Sequence, residues 1–83
     1  MTFFDELSSL CAKEMAIARL NEDLQRQGDL ISGLCTMLGR TIARCAKGDP
    51  KTIETLATGC EAQVIEEASG MAGIINLAKI KRG

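Results

Sequence analysis

The chain has 83 residues and a mass of 8.9 kDa, and ten Lys and Arg against eleven Asp and Glu leave a net charge of −1. That balance gives no global pull toward nucleic acid or anionic membrane. Its 46% of apolar residues is ordinary, but two Phe with no Tyr, Trp or His is not. Histidine catalysis, His-ligated metals and aromatic platforms for stacking bases all lack their residues. The length fits a single helical domain over 1–83, and a thin one. Area scaling gives ~4,800 Å² folded against ~12,900 Å² unfolded, so little core is available.

The chain opens Met1-Thr2-Phe3-Phe4-Asp5-Glu6, with no basic stretch followed by an apolar one, and so does not read as a secretory signal. Thr2 stands where an N-cap would, and Asp5 and Glu6 suit the positive end of a helix. At 100° per residue the apolar residues of 3–26, from Phe3 through Leu7, Cys11, Met15 and Ala18 to Leu24, fall on one arc. Glu14, Asn21 and Gln25 intrude on it, either as a partly exposed stripe or as a polar device setting register against a partner helix. Glu22 and Arg26 are spaced as an i,i+4 pair.

A second stripe follows over 30–47: Leu30, Ile31, Leu34, Cys35, Leu38, Ile42 and Cys45. Its centre is displaced by roughly 140° from the first, which requires a break or bend between them. Gln27-Gly28-Asp29 is the expected site, with Gly28 just past one helix and Asp29 capping the next. The opposite side carries Ser32, Thr36, Arg40, Arg44 and Lys47.

Lys47-Gly48-Asp49-Pro50 is the strongest punctuation. Lysine in a last turn, Gly at C′, Asp at the N-cap and Pro at N1 predict a stop and restart, and hence an antiparallel hairpin. From Pro50 onward, Ile53, Leu56, Cys60, Val64, Met71 and Ile75 hold one narrow stripe, with Gly59, Gly70 and Gly73 pointing away from it. This segment is predicted as one helix to about Lys81, or as two helices split near Ser69-Gly70. No alternating run indicates a strand. The predicted fold class is all-α, with three helices.

The four cysteines, Cys11, Cys35, Cys45 and Cys60, show no Cys-x-x-Cys pairing and read as small buried hydrophobes rather than metal ligands or disulfide partners. No cofactor is expected. Glu66 and Glu67 diverge by 100° on a helix and cannot face one substrate atom together. Gly70-Met71-Ala72-Gly73 lacks the preceding strand and the spacing of a phosphate loop. The chain is therefore expected not to be an enzyme. Arg40, Arg44 and Lys47 form a basic stripe, followed by Lys51, that could contact phosphates; Glu54 and Glu61 stand ready to neutralise it. The longest uncharged runs, 30–39 and 68–78, fall short of the ~20 residues a bilayer span needs, and a cytoplasmic location is expected.

Surplus apolar face is what remains. Each predicted helix carries a stripe that so small a chain cannot bury alone, and a partner helix or second copy is its natural sink. Ile53, Leu56, Cys60, Val64, Met71 and Ile75 are the expected core or interface positions.

The amphipathic segment, the Gly48-Asp49-Pro50 turn and the following helix ending in Gly70-Met71-Ala72-Gly73-Ile74-Ile75-Asn76-Leu77 resemble the small helical-hairpin proteins of type III secretion systems. The resemblance covers roughly residues 30–80. It is closer to the needle-subunit co-chaperones, and extends to the needle subunits themselves, which are also helical hairpins with a Pro-containing turn. It implies a protein that pairs with a second chaperone and keeps an aggregation-prone subunit monomeric before export. The other implied role is a self-assembling structural subunit. The segment 2–27 departs from a minimal hairpin of either kind.

Overall fold

A computed structural model describes residues 1–82. It is all-α: α1 spans Phe3–Leu20, α2 spans Leu24–Cys45 and α3 spans Pro50–Arg82. No strand occurs among the described residues. Contacts divide the chain into two units, Met1–Arg40 and Thr41 onward.

In the first unit, α1 begins as its sequence dictates. The Asp5 amide donates to Thr2 Oγ1 at 3.1 Å, and the Thr2 amide donates back to Asp5 Oδ2 at 3.3 Å, a reciprocal box that satisfies two otherwise orphaned donors. The helix ends at Leu20, earlier than the periodicity predicted. Glu22 takes a left-handed φ of 52°. Its amide donates to the Arg19 carbonyl at 3.2 Å, and that of Asp23 to the Ala18 carbonyl at 2.7 Å, the paired bonds of a Schellman stop. Asp23 then caps α2, accepting from the Arg26 amide at 2.9 Å.

The break is thus Asn21-Glu22-Asp23, and the expected one at Gln27-Gly28-Asp29 is absent. Gly28 lies inside α2, where it costs only about 1 kcal/mol. Asp29 accepts from Gln25 Nε2 at 2.9 Å instead of capping anything. The expected Glu22–Arg26 pair is also replaced, because Glu22 has left the helix. Arg26 reaches across to α1 and holds Glu14 in a two-pronged ion pair, 2.9 Å from Nε to Oε2 and 3.2 Å from Nη2 to Oε1. The polar intrusion at Glu14 is therefore a cross-helix tie. Around it Leu7, Cys11 and Met15 are half-buried at helical spacing and Ala18 is buried, facing half-buried Arg26, Gln27 and Leu30 of α2.

In the second unit, the closing residues of α2 pack on α3, with Ile42 and Ala46 buried and Ala43, Ile53 and Cys60 half-buried. The stop has the same form as the first. The Gly48 amide donates to the Ala43 carbonyl at 3.0 Å and that of Lys47 to Arg44 at 3.2 Å. Lys47, not Gly48, occupies C′ with φ 52°, and Gly48 follows at φ 77°. Asp49 caps α3 as predicted, accepting from the Thr52 amide at 2.9 Å and its hydroxyl at 2.6 Å, with Pro50 at N1. From there α3 runs unbroken, so the alternative split at Ser69-Gly70 is not adopted.

Ala18, Ile42 and Ala46 are the only buried residues among those described. The accessible surface is 7185 Å², against the ~4,800 Å² that area scaling gives for this mass. The cysteines do not serve as core either: Cys35 and Cys45 are exposed, and Cys11 and Cys60 only half-buried.

Candidate partner-binding face

The continuity of α3 turns its apolar residues into a surface. Ile53, Val64 and Ile75 recur at intervals of eleven residues, as do Cys60 and Met71. Eleven residues exceed three whole helical turns by only about 20°, so the stripe stays nearly parallel to the helix axis with a slight right-handed drift. A kink at Ser69-Gly70 would have destroyed that alignment.

The stripe divides into two parts. Ile53 and Cys60 lie half-buried beside the end of α2. Farther on it is open: Leu56 is 39% exposed, Val64 58%, Met71 56% and Ile75 48%. From Glu61 to Lys81 every residue of α3 is exposed, so no element of the second unit covers that stretch. Ile74, Leu77 and Ile80 add apolar area around its far end. The six residues expected to bind a partner thus lie along one helix face, two partly consumed by the hairpin and four open.

Electrostatics frame the face. Glu54, Glu61, Glu66 and Glu67 make the middle of α3 acidic, and Lys79 and Lys81 make its end basic. At the start, the Thr52 hydroxyl and amide hold the Asp49 carboxyl below its ordinary value, fixing it as the charged cap. In the first unit the hydrogen bond from Arg26, ahead of its Coulombic attraction, lowers Glu14, and the same pair raises Arg26.

The basic stripe is less coherent than predicted. Arg40 and Arg44 stand four residues apart on α2, as expected, and both are exposed. Lys47 has left the α2 surface for the left-handed turn position, so it does not continue the row. Glu66 and Glu67 are exposed neighbours on α3, as adjacency requires. A shallow, open depression of about 310 Å³ beside the α3 start is lined by Asp49, Lys51, Thr52 and Thr55, and its carboxylate is already engaged in capping. Among the described residues no group of three or more Cys, Asp or Glu could hold a metal ion. None of their helices is long and apolar enough to cross a membrane.

The eleven-residue interval and the absence of cover from Glu61 onward are what the sequence reading missed. The first was legible as a spacing; the second is a tertiary fact. No family model matches the chain, and neither a curated protein nor a solved structure matches it.

Proposed function

We propose that this chain is a non-enzymatic helical interaction protein that acts by burying its open apolar helix faces, above all the α3 stripe, against helices of protein partners. One observation carries the reading: Val64, Met71, Ile74 and Ile75 stand exposed on a helix stretch that no described residue of its own unit covers. A helix takes most of its stability from packing of its apolar face, which this stretch lacks, and Gly70 and Gly73 each weaken it by about 1 kcal/mol relative to Ala. Covering the stripe supplies the missing stabilisation, because burying each Ile, Val or Met side chain contributes roughly 1.5–3 kcal/mol before ordering costs.

The resemblance of residues 30–80 to needle-subunit co-chaperones supplies a concrete version. In it the chain is cytoplasmic and lends its faces to a second chaperone and a secretion-apparatus subunit. The open α3 stripe supports that version, since holding an aggregation-prone helix requires an apolar surface to hold it against.

Site-specific photo-crosslinking in cells expressing the protein tests the reading. A crosslinker at Met71 or Ile75 gives discrete protein adducts, whereas one at Glu66, on the far side of α3, gives few. Equal yields at both faces, or none at either, overturn it.

A further inference from the structure

Resting on that reading, we infer that the stretch of α3 from Glu61 to Lys81 is self-complementary and pairs antiparallel with the same stretch of a second copy of the chain, with Met71 at the two-fold axis. Charge placement identifies this occupant. At 100° per residue, Glu61 and Lys79 flank the apolar stripe on one side, roughly 65° from its centre, while Glu67 and Lys81 flank it on the other. In an antiparallel helix pair each flank faces the same flank of its partner. Centring on Met71 brings Glu61 of one copy within about 3 Å of axial rise of Lys79 of the other, and two-fold symmetry repeats the contact. Val64 then lies at the level of Ala78, and Ala68 at that of Ile74.

A parallel pair would set opposite flanks together at equal heights. Lys79 would stand within about 3 Å of axial rise of Lys81, and Glu61 within about 9 Å of Glu67, so like charges disfavour it. An eleven-residue interval, at 3.67 residues per turn, gives such a pair a slight right-handed coil that keeps the stripe on its partner along the whole stretch.

Area points the same way. A standard interface takes roughly 800 Å² from each partner, and the exposed stretch from Glu61 to Lys81 offers about 30 Å of helix for it. A second copy can therefore bury the Val64–Ile75 stripe and still leave the half-buried Ile53 and Cys60 in their intramolecular places. All the residues involved are exposed on α3, so nothing must unfold for pairing to occur.

Sedimentation equilibrium of the full chain under reducing conditions, from micromolar to millimolar concentration, tests the pairing. The expected result is a monomer–dimer equilibrium in which E61K and K79E each weaken dimerisation about tenfold, two symmetry-related pairs being lost in each. The double variant E61K/K79E returns to within about threefold of the original. Both positions are exposed, so neither variant threatens the fold. A monomer throughout the range, or a double variant no tighter than either single one, overturns the inference. The crosslinking described above separates this failure from that of the broader reading. A monomeric chain whose Met71 adducts contain only other proteins refutes the dimer alone. A monomeric chain with no adducts refutes both.

Discussion

Among the described residues Ile42 is the one large side chain that is buried, 9% exposed at the end of α2, which makes Ile42→Ala the sharpest probe of the hairpin. The substitution removes three carbon groups from a nearly water-free site, worth about 2.4 kcal/mol at roughly 0.8 kcal/mol per group. The penalty for a residual cavity is small here. Its neighbours Ile53 and Ala43 are only half-buried and can settle into the gap, which places the effect at the lower end of the ~2–5 kcal/mol range for such truncations. Alanine returns a few tenths of a kcal/mol through its better helix propensity. The expected net loss is about 2 kcal/mol, a large fraction of the stability an 83-residue chain commands. Urea unfolding followed by far-ultraviolet circular dichroism measures it, at one fixed protein concentration because association shifts the midpoint. Ile65→Ala is the control: the same atoms are removed from a position 59% exposed and off the stripe, so its cost is under about 0.5 kcal/mol. Equal losses at the two positions would refute the claim that the second unit is organised around Ile42.

The turns and the ionised carboxylates give further tests. Asp23→Ala removes the acceptor for the Arg26 amide and costs about 1 kcal/mol, while Asp23→Asn keeps most of the cap; thermal unfolding distinguishes them. Glu22→Gly and Lys47→Gly each relieve a left-handed backbone that penalises a side chain by about 1 kcal/mol. Part of that gain is lost to the freer unfolded chain, so each variant is more stable by about 0.5 kcal/mol, and a loss at either position would contradict its assigned conformation. Glu14 and Asp49 are both lowered from ordinary values of 4.5 and 3.8, by the Arg26 and Thr52 hydrogen bonds respectively. A lowered carboxyl contributes stability above its unfolded value and loses it as pH falls through the folded one. Urea midpoints therefore hold steady from neutral pH to about 5 and decline below it. Glu14→Gln shallows that decline, and an unchanged profile would show that the cross-helix pair does not form in solution.

The helix starts at Thr2 and Asp49-Pro50 were legible because caps are local: a side chain two or three residues from the amides it satisfies needs nothing beyond its own segment. The fold class was legible for a similar reason, since three apolar stripes at helical spacing and no alternating run admit no sheet. The phase shift between the first two stripes correctly demanded a break but located it at the only nearby glycine. The actual turn uses Glu22 in a left-handed conformation that glycine would favour. What marks it in the sequence is Asp23 set three residues before Arg26, with Asn21 ahead of it. Glu14 was legible as an anomaly on its stripe, though its partner was not. Arg26 lies twelve residues away and comes within reach only because the chain turns at Glu22.

The candidate face divides along the same line. Which side chains of α3 align, from Ile53 to Ile75, is fixed by residue spacing once the helix is unbroken, and so is the order of charge from Glu61 to Lys79. The sequence by itself determined the all-α class, the helix starts at Thr2 and Asp49-Pro50 and the apolar spacing within each helix. Only the tertiary structure decided how much of each side is covered: nearly all of Ile42 and Ala46, part of Ile53 and Cys60, while every described residue from Glu61 to Lys81 stays exposed. Periodicity is a property of one helix, whereas burial requires a second surface, and no rule of spacing says where that surface ends.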